Sequence, residues 1–246
     1  MTDIHCHILP DADDGAETME DALSMARAAA ASGVKTLLAT PHCNLPGSVE
    51  KNYVSYDLRD RFVALCLAVR QAGIPPTILP GAEILCTPDL PELLLQKKLL
   101  PLAGTRYLLV EFIFDEPQSY IDDMLQAVID HGFIPVIAHP ERYDAVQQEP
   151  YAAAQWLEQG CVIQLNKGSI LGTLGHRAEQ TAHWLLDRGF AHVAASDAHA
   201  PSVRTTPLQE LYAFLSQAYS PAYADLLLNS NPSRMIQKLP VRQIHK

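Results

Sequence analysis

The chain has 246 residues, 48% hydrophobic and 19% charged, which is enough apolar side chain for a sizeable core and excludes a disordered polymer. Lys and Arg number 18 against 28 Asp and Glu, a formal net charge of −10 that speaks against a nucleic-acid-binding surface. The five cysteines, Cys6, Cys43, Cys66, Cys86 and Cys161, are odd in number and lack C-x-x-C spacing, which excludes a disulfide framework as the simple reading. No signal-peptide pattern opens the chain and no apolar run reaches membrane-span length. A soluble cytoplasmic protein with no direct membrane insertion is expected.

Short apolar runs then alternate with helical patterns. The first strand is expected at Asp3–Ile8. An Ala-rich helix follows over Thr18–Ser32, with Thr18 as N-cap and Gly33 as its stop. A strand at Thr36–Thr40 leads into the longest irregular stretch, Cys43–Asn52, a candidate site loop. The helix Tyr53–Ala72, the strand Thr77–Ile84 and the helix Pro88–Gln96 come next. The strand Tyr107–Phe112 precedes the helix Tyr120–His131, and the strand Ile134–Ala138 precedes the helix Tyr151–Gln159. The strand Val162–Asn166, the helix His176–Arg188 and the strand His192–Ser196 complete the alternation. Helices over Pro207–Tyr219 and Pro221–Asn229 and a last turn from Pro232 close the chain.

Seven strands alternating with helices, several of them continuous apolar runs, predict one parallel α/β domain over residues 1–246. The regular spacing favours a closed barrel. No strand is followed by G-x-G-x-x-G, and no phosphate-binding G-x-x-x-x-G-K-[ST] is present.

The chemistry-bearing residues cluster at the expected strand ends. His5 and His7 share one face of the first strand, and Asp14 lies in the loop after it. His42 closes the second strand. Glu83, Glu111 and His139 sit at the ends of the third, fourth and fifth. Asp197 and His199, again two apart, follow the seventh. In a parallel barrel these ends form one mouth, where sites are built. A lone strand histidine is usually a core or surface residue. Five imidazoles and four carboxylates converging without matching Lys and Arg ask instead for cations. Three divalent ions would leave the site positive, suited to an anionic substrate oxygen and to activation of water. Mixed imidazole and carboxylate ligation suits manganese, iron or zinc.

The motifs carry a resemblance. The D-I-H-C-H-I-L-P-D-A-D-D-G start, T-P-H at 40–42, G-A-E at 81–83, E-F at 111–112, A-H-P-E-R-Y at 138–143 and S-D-A-H at 196–199 together resemble the polymerase-and-histidinol-phosphatase (PHP) superfamily. Within it they are similar to the bacterial protein-tyrosine phosphatases of capsule and exopolysaccharide clusters. The resemblance implies a distorted (β/α)7 barrel with three divalent metal ions, often manganese. It implies that His5, His7, Glu83 and Asp197 hold one ion, that Glu83 bridges to a second shared with Glu111 and His139, and that Asp14, His42 and His199 hold the third. Arg142 and Arg204 match the family's phosphate-binding arginines, although one Arg in a polar loop needs no special role. After His42 the streptococcal-type members carry basic residues, whereas this chain reads Cys43-Asn44-Leu45-Pro46.

The expected activity is phosphomonoester hydrolysis, with protein phosphotyrosine as substrate and a bacterial tyrosine autokinase as partner. No C-x-x-x-x-x-R is present for a cysteine phosphatase and no G-x-S-x-G for a serine hydrolase. The alternatives are a small-molecule phosphatase acting on a compound such as histidinol phosphate, a barrel hydrolase of non-phosphate bonds, and a non-catalytic metal-binding regulator.

Overall fold

The computed structural model describes residues 1–47 and 51–243. Its strands are β1 (Thr2–Cys6), β2 (Thr36–Ala39), β3 (His42–Cys43), β4 (Thr77–Pro80), β5 (Glu83–Leu85), β6 (Tyr107–Glu111), β7 (Ile134–Ala138), β8 (Val162–Asn166) and β9 (Val193–Ala195). All pair in parallel, in the orders β1-β2-β4 and β3-β5-β6-β7-β8-β9.

These segments make a seven-staved barrel among the described residues, because β2 with β3, and β4 with β5, are each one stave broken in the middle. Pro41 interrupts the first, since it has no N–H for the ladder. Pairing resumes when Glu83 N–H donates to the Pro41 carbonyl at 3.0 Å. Gly81 breaks the second. A Cβ there would lie 2.9 Å from Leu102 Cδ2 and 3.1 Å from Thr40 Cγ2. The expected single strand Thr77–Ile84 is therefore two strands. Closure comes at the other seam, where His7 N–H donates to the Ala198 carbonyl and Asp197 N–H to that of His5, at 2.8 and 2.9 Å.

The helices cover the outside. In α1 (Met19–Ala31) Thr18 and Asp21 form a reciprocal cap, each side chain accepting the other's backbone N–H. Ala22, Met25, Ala26 and Ala29 fall on its buried face, three small side chains beside one large one. The second helix, α2 (Tyr56–Gln71), begins three residues later than expected, because the Ser55 hydroxyl caps Leu58 N–H at 3.1 Å. Then come α3 (Leu90–Leu95), α4 (Gln118–Asp130), α5 (Asp144–Gln148), α6 (Ala152–Glu158), α7 (Lys167–Ile170), α8 (His176–Asp187), α9 (Gln209–Ala218), α10 (Pro221–Asp225) and α11 (Asn231–Ile236). The helix expected to run to Asn229 stops at Asp225 as an α-helix. It continues as a wider π-turn over Leu226–Ser230 that leads into α11.

A large apolar cluster lies between helices and sheet, around Trp156, Leu65 and Met25. A smaller one fills the barrel interior, with Leu109, Val136, Val162 and Val193 among its members. Two or four positions along the same strand faces come Glu111, Gln164, Asn166 and Asp197, so the apolar plug sits directly beneath the polar mouth. No helix among the described residues is long and apolar enough to cross a membrane, and the five cysteines are free.

Candidate metal centre

The mouth gathers every ligand-type residue singled out from the sequence. Eight of them fall into three groups, His5–His7–Glu83–Asp197, His42–Glu83–Glu111 and His7–Asp14–His42–His199, and within each group one donor atom per residue lies within 4.8 Å of the others. The ninth, His139, places Nε2 2.8 Å from Glu83 Oε1 and 3.9 Å from Glu111 Oε2. Glu83 is shared by two groups. His42 is also shared, with Nδ1 2.7 Å from Glu111 Oε1 and Nε2 3.5 Å from Asp14 Oδ1.

Backbone geometry aims two of these side chains. His139 and Asp197 follow β7 and β9 with φ of 35° and 49°, in the left-handed region that costs a non-glycine residue about 1–2 kcal/mol. Both turn into the mouth at the point where their strands end. Asp14 is the exposed member, with its side chain 68% accessible, whereas His5, His7, Glu83 and Asp197 are buried.

The donor set fits divalent cations. His5 and His7 face each other, Nε2 to Nε2, at 3.2 Å. Each has its Nδ1 engaged by an oxygen, Gln164 Oε1 at 2.9 Å for His5 and Asp13 Oδ2 at 2.6 Å for His7. An Nδ1–H donating to oxygen leaves a lone pair on Nε2, so two lone pairs converge where a cation accepts both. Glu83 Oε2, Asp197 Oδ1 and His199 Nε2 are buried with no hydrogen-bond partner, although ligand atoms surround them. Such groups are costly to bury alone.

The electrostatics show a site short of positive charge, which protons fill when no cation does. Burial by itself pushes the Glu83 carboxyl up, but the charges of His5 and His42 and the His139 hydrogen bond outweigh it and hold it well below its ordinary value. Asp197 is likewise held well down, because His5 and His7 overcome its burial. Burial pulls on His42 too, yet Glu83 and Glu111 raise it to about 9. His199 goes the other way, to about 3, under burial and the charge of His7. The carboxylates draw positive charge into the site.

Both singled-out arginines reach the rim. Arg142 ends a 3-10 turn, Pro140–Arg142, that follows His139 directly. Its Nη1 is 3.8 Å from Asp197 Oδ2, and its guanidinium stacks 4.3 Å over the Phe114 ring. Arg204, with φ of 50°, donates from Nη2 to the same Asp197 oxygen. Glu141, next to Arg142 in the chain, is buried and accepts Asn166 N–H at 3.0 Å, so it is no surface partner for the guanidinium.

Four site residues escaped the sequence reading. Asp13 holds His7, accepts His42 N–H at 2.7 Å and caps Gly15 N–H at 2.9 Å. Gln164 and Asn166 line the floor, signalled only as polar alternates in the apolar run Val162–Asn166. Phe114 stands 41% exposed at the mouth, its ring 84° to that of His139 with centroids 6.1 Å apart. The described part of the 43–52 stretch lies against the site. Asn52 Nδ2 donates to the carbonyls of His42 and Ala12, and Asn44 N–H to that of Lys51. Residues 48–50 lie outside the described residues.

A parallel barrel with nine ligand-type side chains and two arginines around one mouth defines the class: a barrel protein with candidate metal-binding clusters at the C-terminal ends of its strands. Solved structures narrow the class. The chain superposes with a TM-score of 0.89 and 33% identity, over 100% of both chains, on a crystal structure from a study of YwqE from Bacillus subtilis and CpsB from Streptococcus pneumoniae, described as metal-dependent tyrosine phosphatases. It is 36% identical to tyrosine-protein phosphatase YwqE of Bacillus subtilis over 89% of this chain and 85% of that one. It is 30% identical to tyrosine-protein phosphatase CpsB of Streptococcus pneumoniae over 96% and 98% of the two chains. The profile of the capsular polysaccharide synthesis CpsB/CapC family matches residues 1–237, and the chain belongs to that family.

Proposed function

We propose that this chain is a metal-dependent tyrosine phosphatase acting on protein phosphotyrosine, with residues 1–246 working as one unit. The observation that carries the reading is the convergence of nine ligand-type side chains on a mouth rimmed by two arginines that share Asp197. The relatives, named as tyrosine phosphatases in a capsular polysaccharide synthesis family, support the substrate class. A bacterial tyrosine autokinase that governs capsule or exopolysaccharide synthesis is the partner this reading favours. Five free cysteines suit a reducing, cytoplasmic setting.

His5, His7, Glu83 and Asp197 would hold one ion, Glu83 with Glu111, His139 and His42 a second, and Asp14, His42 and His199 a third. Manganese is the favoured metal, with iron and zinc compatible with the same donors. Divalent ions bound there supply Lewis-acid neutralisation of phosphoryl charge and activation of water.

The chain's own residues do the rest. Arg142 and Arg204 offer planar forks of N–H donors that match phosphate oxygens in pairs. Their position beside Asp197 would let both meet the oxygens of a phosphate held at the mouth. Phe114 gives the mouth an aromatic wall for a phenyl ring. The leaving phenolate of tyrosine, with a pKa of about 10, needs less protonation than an alkoxide.

The test is a side-by-side assay, at saturating manganese, of a phosphotyrosine peptide and histidinol phosphate. A higher kcat/KM on the peptide supports the reading. A higher value on histidinol phosphate would move it to the small-molecule alternative. Tight metal binding without turnover of either, or of an aryl phosphate, would make the protein a binder.

A further inference from the structure

Six of the seven barrel staves bring a ligand-type side chain to the mouth. The exception among the described residues is β8, which presents two neutral amides, Gln164 and Asn166, both fully buried. They bridge two residues of one ligand group. Gln164 Oε1 lies 2.9 Å from His5 Nδ1, and Gln164 Nε2 donates to Asn166 Oδ1 at 2.9 Å. Asn166 Nδ2 then donates to Asp197 Oδ2. The Asn166 backbone is tied in turn to Glu141, the neighbour of Arg142.

We propose that Gln164 and Asn166 are positioning residues that set the donor atoms of His5 and Asp197 for one cation. The inference rests on the metal reading above. The direction of the ladder follows from the donor inventory. Asp197 can only accept, so Asn166 must turn its N–H₂ toward it and its oxygen back. Gln164 must then donate to that oxygen and offer its own oxygen to His5. His5 therefore carries its proton on Nδ1 and leaves the Nε2 lone pair to the mouth. At the other end, Asn166 and Arg204 occupy Asp197 Oδ2, which leaves Oδ1 facing His5 Nε2 at 3.3 Å and His7 Nε2 at 3.4 Å.

Only a side chain that both donates and accepts fits either rung. A carboxylate at Asn166 would set like charge against Asp197, and a hydrocarbon would strand a buried imidazole N–H or carboxylate oxygen. This explains why β8 holds polar residues with no ligand atom of their own in an otherwise apolar strand.

The experiment titrates chelated full-length protein with manganese by calorimetry and counts bound metal by elemental analysis. It uses wild type, Gln164→Leu, Asn166→Leu and Gln164→Glu, with far-UV circular dichroism confirming the fold. Affinity for one equivalent should fall 10- to 100-fold in both leucine variants, the usual effect of losing a ligand's supporting hydrogen bond. Gln164→Glu keeps an acceptor for His5 and should recover part of that loss. Folded variants that bind the same number of ions with wild-type affinity would overturn the ladder. A wild-type protein that takes up no cation would overturn the metal reading itself. Nitrogen-15 spectra of zinc-loaded wild type need no variant to fold. They should show His5 protonated on Nδ1 with slow solvent exchange, and a proton on Nε2 would also overturn the proposal.

Discussion

Asp13 holds His7 through a 2.6 Å hydrogen bond from imidazole Nδ1–H to Oδ2, and the same oxygen accepts His42 N–H from across the mouth at 2.7 Å. One carboxylate thereby fixes the ring of one ligand-type residue and the backbone of another. Its neighbours keep it ionised: burial raises the Asp13 carboxyl, but the charge of His7 and the hydrogen bonds from His7 and His42 lower it to about 2. Asp13→Ala should weaken metal binding by about 10- to 100-fold, and Asp13→Asn, which retains an acceptor oxygen, by less. Competition against a calibrated chelator measures both, and equal affinities in all three proteins would deny Asp13 this role.

Arg142 meets Asp197 and Phe114, and neither Glu141 nor Asp144 forms an ion pair with it among the described residues. A surface salt bridge would be worth about 0–1 kcal/mol and irrelevant to turnover. As a phosphate donor preorganised for the transition state, its loss should lower kcat about 100-fold. Arg142→Ala should do this with metal content unchanged, and Arg142→Lys should restore part, since an ammonium lacks the planar fork. Wild-type kcat and KM in the alanine variant would remove Arg142 from the site.

Phe114 is 41% exposed and contributes little to the core, so its truncation leaves the fold largely intact. A stacked aromatic contact is worth about 0.5–1.5 kcal/mol beyond area. Phe114→Ala should therefore cut kcat/KM on an aryl phosphate by about 3- to 10-fold and leave an alkyl phosphate such as glycerol phosphate little changed. Equal losses on both would show that Phe114 acts through Arg142 and not through the substrate ring.

His192 gives a pH signature separate from the ligand-type residues of the mouth. It is 2% exposed, accepts Ile163 N–H on Nδ1 at 3.2 Å, and burial lowers it from 6.5 to about 4. Its neutral form is the folded form. Its stabilising contribution is complete above 6.5 and is lost as pH falls toward 4, because the unfolded chain binds the proton first. Between pH 7.5 and 5 this amounts to about 2 kcal/mol. His192→Asn keeps an acceptor but cannot titrate, so denaturant unfolding of chelated protein should show a loss smaller by that amount. Parallel pH dependence in the two proteins would contradict the assignment.

Much of the barrel is legible in the sequence because its strands are short apolar runs between helical patterns. Tyr107–Glu111, Ile134–Ala138 and Val162–Asn166 have the same starts in both readings. The break at Gly81 is not legible, since it depends on the approach of Leu102 and Thr40, distant in sequence. Nor is α7, whose Lys167 is anchored on the carbonyls of Thr205 and Pro207. At the site, period-two spacing and strand ends put the ligand-type residues on one mouth. They do not reveal that His42 serves two groups through its two nitrogens. The D-A-D-D-G run hides which Asp turns inward. The chain folds so tightly at Gly15 that a Cβ would strike the His7 carbonyl, and this turn sends Asp13 in and leaves Asp14 at the mouth.

The central claim is that ions held by these side chains are required for turnover of phosphotyrosine. The measurement is the rate of phosphate release from a phosphotyrosine peptide before chelation, after it, and after manganese is returned, with metal content determined on the same samples. Activity should fall to background as the metal is removed and return as it is restored, with Glu83→Ala inactive and short of more than one metal equivalent, since Glu83 touches both His5 and His139. Full phosphotyrosine hydrolysis by protein shown to be metal-free would contradict the account.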